Sequence, residues 1–209
     1  MTWPGSSDSP CVLAFDTSGG YCAAVLLRGD DVLAHQHDEM AKGQAEYLMG
    51  LLADVLKNAG MKYRDLDALG VAVGPGNFTG IRIAVSAARG LAYGLKIPAV
   101  GVSNLEAMRE GTEGPCAASI DARRNQYYFQ SVDAGGTENS PKLITQDSVP
   151  DHEGPMIGAL GLPAKLPVAE AVARIAARRF RHNPDRPAPL YLRPADAAPA
   201  RDTPPNILP

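Results

Sequence analysis

Gly74-Pro75-Gly76-Asn77-Phe78-Thr79-Gly80-Ile81-Arg82 joins a strand-like run, Ala68 to Val73, to a helix-like run, Ile81 to Leu95. A glycine-rich strand-to-helix turn places free backbone N–H groups at the positive end of a helix, where phosphates bind. The segment fits neither common phosphate fingerprint. A P-loop carries Lys and then Ser or Thr after its last glycine, and here Gly80 is followed by Ile81 and Arg82. The dinucleotide fingerprint has glycines at its first, third and sixth positions, whereas Gly74, Gly76 and Gly80 stand first, third and seventh. Pro75 removes one donor from the turn. Two readings stay open: phosphate binding, or a tight connection whose glycines supply positive φ and close helix–strand packing.

The wider chain narrows the function classes. Its 209 residues allow one large domain or two small ones, and 45% hydrophobic with 21% charged residues is the balance of a soluble globular protein. A net charge of -3 gives no general attraction to nucleic acid or an anionic membrane, and 6% aromatics leaves little for base stacking. Cys11, Cys22 and Cys116 form no C-x-x-C pair, which argues for a reducing compartment and against structural zinc. His35 and His37 share a strand face near Asp30 and Asp31, a pattern better suited to a solvated hairpin edge than to a metal site. No signal peptide or spanning run is expected, so the expected location is the cytoplasm.

Periodicity gives an α/β order. Val12 to Phe15 and Tyr21 to Arg28 read as a hairpin around Asp16-Thr17-Ser18-Gly19-Gly20, with a third strand from Asp31 to His37. A helix is predicted from Gln44 to Asn58, with Gly60 as its stop. The next helix carries Ala84, Ala87, Ala88, Gly90, Ala92 and Gly94, so it packs closely on either its own sheet or a partner's helix. After a strand from Pro98 to Ser103 and a short helix to about Glu110, the pattern restarts: strand Ala117 to Ile120, turn Asp121 to Asn125, strand Gln126 to Val132. This echo suggests a duplicated domain with Asp16 and Asp121 at matching strand ends. Met156 to Leu160 reads as a further strand and Val168 to Arg181 as a helix. Its arginines, Arg174, Arg178, Arg179 and Arg181, offset the helix dipole or form an RNA patch with Arg186, Arg193 and Arg201. Expected divisions are a disordered stretch 1–10, domains 11–110 and 111–194, and a Pro-rich tail 195–209.

Four motifs carry a family resemblance: Leu13-Ala14-Phe15-Asp16-Thr17-Ser18, the Gly74 to Arg82 loop, Ile120-Asp121-Ala122-Arg123 and Leu190-Tyr191-Leu192-Arg193. Their order and spacing resemble those of the bacterial TsaB (YeaZ) family. The resemblance implies an actin-like ATPase fold of two ribonuclease-H-like halves, the second reduced. It also implies a role in making threonylcarbamoyladenosine beside the tRNA anticodon, as a non-catalytic partner of the catalytic subunit TsaD. The ATPase TsaE would join the complex, tRNA would be met only through it, and the chain alone would form a homodimer. No catalytic residue, resident cofactor or metal is expected, with ATP or ADP at the interface of the complex left open. Asn77 stands where the family usually has Ser, and Gln44 where relatives commonly have His.

In that fold Asp16, Thr17, Ser18, Asp121 and Arg123 would lie at the phosphate-facing strand ends, and Gly74, Pro75, Gly76, Asn77, Phe78, Thr79, Gly80 and Arg82 form the family loop. The implied dimer or partner interface is Leu48, Leu52, Ala84, Ala87, Ala88 and Leu91. The catalytic relative has two metal-binding histidines at positions that match Asn104 and Met108, an amide and a thioether that cannot replace imidazoles. Two other functions stand beside the partner reading: a small ATP-dependent, kinase-like enzyme using Asp16 and Asp121, and a metallopeptidase, which the missing histidines disfavour.

Overall fold

The computed structural model describes residues 9–182 and 184–193. Most of the expected disordered stretch 1–10, the tail 195–209 and Arg201 lie outside those residues.

The first sheet begins with an antiparallel meander, β1 (Cys11–Asp16), β2 (Tyr21–Arg28) and β3 (Asp31–Glu39). Helix α1 (Gln44–Asn58) leads to β4 (Ala68–Ala72), α2 (Phe78–Leu95) leads to β5 (Ala99–Val102), and β4 and β5 run parallel to β1. The strand order is β3-β2-β1-β4-β5, the ribonuclease-H-like arrangement. After α3 (Asn104–Arg109), strands β6 (Cys116–Asp121), β7 (Gln126–Val132), β8 (Lys142–Thr145) and β9 (Met156–Gly158) repeat its first four places in the order β8-β7-β6-β9. The molecule is thus an α/β protein of the actin-like ATPase fold with a reduced second half.

Alternation along β1 explains the layers. Leu13 and Phe15 point to one face and pack with Leu48, Leu51, Leu52, Val55 and Leu56 of α1 and with α2. Val12 and Ala14 point to the other, against α4 (Val168–Arg179) through Val172, Ala173 and Ala176. A strand buried on both faces must be apolar throughout, and all six residues of β1 are buried. Edge strand β3 instead alternates exposed and half-buried positions. Each large side chain buried beneath α4, such as Ile175, contributes about 2 kcal/mol of transfer free energy.

This packing corrects the expected division at residues 110 and 111. Helix α4 lies late in the chain but completes the first lobe, because the first sheet has a second apolar face that α1 and α2 cannot reach. The returning segment after α4 also rejoins that lobe, the Leu190 N–H donating to Val73 O at 2.8 Å.

Helix ends follow local chemistry. At the end of α1, Gly60 has φ +65 and its N–H bonds Lys57 O at 2.9 Å, as expected for a left-handed stop. Helix α2 starts at Phe78 rather than at Ile81, because Asn77 Oδ1 accepts the Gly80 N–H at 2.9 Å and caps the turn.

Candidate functional site

Asp16, the last residue of β1, is fully buried. Its Oδ1 accepts the Ser18 N–H at 2.7 Å and its Oδ2 accepts the Tyr21 hydroxyl at 2.5 Å. The Tyr21 phenol is held far above its ordinary value, first by burial and then by the Asp16 charge. The neighbouring Cys22 thiol is pushed up to about 11, again mainly by burial.

The glycine loop is seated on this turn. Asn77 N–H donates to Ser18 O at 2.7 Å, and Thr17 Oγ1 donates to Gly80 O at 2.7 Å. A Cβ at Gly80 would stand 1.8 Å from Thr17 O, and one at Gly76 2.6 Å from Ser18 O. Gly74 has φ +98, and a Cβ there would meet Ile81 Cδ1 at 2.6 Å. Close packing therefore accounts for every glycine of the motif, and the N–H groups of Asn77 and Gly80 are spent within the chain. The peptide bond between Gly74 and Pro75 is cis.

Asn104, the first residue of α3, is 5% exposed and ties these pieces together. Its Nδ2 donates to Ser18 Oγ at 2.5 Å and Pro75 O at 3.3 Å, while its Oδ1 accepts the Gly74 N–H at 3.3 Å. Its own N–H donates to Gly74 O at 2.8 Å. The amide that stands where the resemblance places a metal ligand is thus fully engaged as a structural clasp. Among the described residues no group of three or more His, Cys, Asp or Glu is arranged to hold a metal. His37 instead pairs with Glu39 at 2.9 Å and lies 4.7 Å from the Tyr21 ring.

The matching turn of the second lobe is open. Asp121 is exposed, and its Oδ1 accepts the Arg123 N–H at 2.7 Å. Arg123, Arg124 and Asn125 follow with φ of 63, 55 and 57, three successive left-handed residues without a glycine. A cleft of about 850 Å³ runs between the lobes, lined by Ser18, Asn77, Phe78, Asn104, Asp121, Arg123 and Tyr191 among others. The structure therefore brings Ser18, Asn77, Phe78, Asp121 and Arg123 to one cavity and leaves Asp16 and Thr17 beneath its floor. Arg82 stands at the rim, its guanidinium carbon 3.9 Å from the Phe78 ring centroid and its Nε donating to Tyr191 Oη at 2.9 Å. Thr79 is exposed in the first turn of α2. The roles of Tyr21, Asn104 and Tyr191 were not marked in the sequence, though Tyr191 sits in a quoted motif.

One expectation is corrected, and one open alternative loses support. Leu48, Leu52, Ala84 and Ala88 are at most 1% exposed and belong to the chain's own core, so they offer no surface to a partner. They form the stripe of α1 and α2 that faces the first sheet; Ala87 and Leu91 are half-buried beside it. The outward faces instead show Met49 at 45% and Tyr93 at 89% exposure, with open space above Gly90 and Gly94. The arginines of α4 do not form a free basic patch either. Arg174 pairs with Glu170 at 2.8 Å, Arg178 pairs with Glu110 at 2.8 Å, and Arg179 pairs with Glu106. No described helix is long and apolar enough to cross a membrane.

Comparison with known proteins follows the same lines. Residues 33–151 match the family model described as TsaD, tRNA N6-adenosine threonylcarbamoyltransferase. The tRNA threonylcarbamoyladenosine biosynthesis protein TsaB of Haemophilus influenzae is 35% identical over 127 residues, 58% of this chain and 53% of that protein. The chain thus matches about half the length of that relative. An uncharacterized protein of Mycobacterium tuberculosis is 32% identical over 200 residues, 90% of this chain and 94% of that one. The solved structure of YeaZ from Pseudomonas aeruginosa superposes with a TM-score of 0.72 at 27% identity, covering 88% of this chain and all of that one. The family model described as TsaD spans more than half of the chain, so the chain belongs to the family that this model describes, as a relative of the proteins called TsaB or YeaZ, which it matches on both sequence and fold.

Proposed function

We propose that this chain serves threonylcarbamoyladenosine formation in tRNA as a non-catalytic partner of a TsaD-type subunit. The observation that carries this reading is the sealed strand end. Both oxygens of Asp16 are occupied, the loop glycines are consumed by packing, and the Asn104 amide is spent on internal hydrogen bonds. A buried carboxylate with both oxygens bonded is not available to hold Mg²⁺, which a kinase-like reaction of this fold needs. The same engagement of Asn104, with Met108 beside it, disfavours a metallopeptidase.

The partner surface in this reading is the outward face of α1 and α2 around Met49 and Tyr93, not the inward stripe. A homodimer would use that face when TsaD is missing. TsaE, ATP or ADP, and tRNA would be met in the assembled cytoplasmic complex.

The test is reconstitution of tRNA modification with TsaD, TsaE and the threonylcarbamoyl donor. Omitting this chain is expected to lower the modification rate at least tenfold, and an unchanged rate would sink the reading. Calorimetry of the chain alone with Mg-ATP is expected to show no turnover. Tyr93→Arg is expected to weaken heterodimer formation at least tenfold in sedimentation.

A further inference from the structure

The motif Leu190-Tyr191-Leu192-Arg193 has an arrangement that neither the family name nor the proposed function explains. Its four residues pass from one lobe to the other, and all four line the cleft. Leu190 packs on the first-lobe core, and its N–H is held by Val73 O at 2.8 Å. Tyr191 remains on that lobe, its ring 4.8 Å from Phe78 and its hydroxyl bonded to Arg82 at 2.9 Å. Leu192 instead packs on the second-lobe core with Leu105, Ala118, Ala122 and Tyr128. Arg193 then donates to the Gln126 side chain, at the start of β7. Upstream, Arg89 Nε donates to Pro187 O at 2.7 Å and fixes the segment along α2.

We infer that residues 190–193 are an inter-lobe staple that sets the opening of the cleft. Leu190 and Leu192 plug different cores but are two residues apart, so the backbone between them spans at most about 7 Å. Widening the cleft beyond that reach requires one plug to leave its core and expose apolar surface to water. The lobes are also tied away from the cleft lining, where Arg178 and Arg179 of α4 pair with Glu110 and Glu106 at α3. With the staple at the cleft and ion pairs behind it, the second lobe is held as a fixed body rather than a hinged clamp. The inference does not depend on the partner reading, since an enzyme or a pseudo-enzyme could carry the same staple.

Spin-label distance measurements on the full chain test it. Labels go on Lys57→Cys in α1 and Lys142→Cys in β8, both exposed, while the native cysteines are buried. The parent should give one narrow distance distribution. Leu192→Ser should broaden it at least twofold while hydrogen-exchange protection of β6 and β7 stays intact, and Leu192→Met should restore the parent width. Arg193→Gln should broaden it less. If Leu192→Ser loses protection in β6 and β7, the milder Leu192→Ala is read in its place. A parent-width distribution in the folded variant overturns the inference.

Discussion

Two turns in this molecule begin alike and end differently. Asp16 and Asp121 close the first strand of their sheets, and each accepts the N–H two residues on at 2.7 Å. Around Asp16 the glycine loop and Asn104 close over the turn, and the carboxylate is fully buried. Around Asp121 no described segment closes in the same way. The loop after β9 folds back onto its own strand instead, with Leu162 N–H on Met156 O at 2.8 Å. The same aspartate-led turn is therefore a structural keystone in one lobe and a cleft wall in the other. Local hydrogen-bond grammar sets the shape of such a turn, and the segment that arrives later in the chain sets its use.

The comparison can be broken most forcefully at Gly80. Gly80→Ala drives a methyl into the Thr17 carbonyl and is expected to cost at least about 3 kcal/mol in urea unfolding. Next comes the aspartate pair. Asp16→Ala strands the Ser18 N–H and the Tyr21 hydroxyl in the interior and should cost about 3 kcal/mol, whereas Asp121→Ala, at an exposed turn, should cost about 0.5 kcal/mol. Equal losses would mean that burial does not distinguish the two turns.

Tyr21 sharpens the contrast through pH. Its folded value is raised above the unfolded tyrosine value of about 10, so its stabilising effect is complete below that pH and is lost as pH rises above it. Tyr21→Phe should cost about 1 kcal/mol at pH 7 and should flatten part of the alkaline fall in melting temperature. The smallest change is expected in the open turn. Arg123→Gly relieves a left-handed residue and should raise stability by roughly 0.5 kcal/mol, net of the greater freedom of glycine in the unfolded chain.

Much of this architecture could be read from the residues. The leucines of α1 recur at helical spacing and stop at a glycine, so both ends of that helix were visible. Strand-end aspartates followed by turn residues announced the duplication. Side-chain periodicity could not say what a stripe faces: Leu48, Leu52, Ala84 and Ala88 would look the same against a partner as against their own sheet. Nor could it tell which sheet α4 covers, because an alanine-rich face fits either. The left-handed run at Arg123 to Asn125 was hidden because two of its residues carry no propensity for that conformation. Asn104 was singled out only for the ligand it replaces, and its clasp emerged once three distant segments met.

The late position of α4 also orders the birth of the protein. A chain emerging from the ribosome completes all four strands of the small sheet, through Gly158, before Val168 exists. Until then Val12, Ala14, Val100 and Val102 present a bare apolar face. A message cut short before Val168 would release a sheet clad on one side only, a species that aggregates or meets a chaperone rather than a partner. Completion of the first lobe thus waits on α4, and copies that lack it keep one face of the first sheet bare.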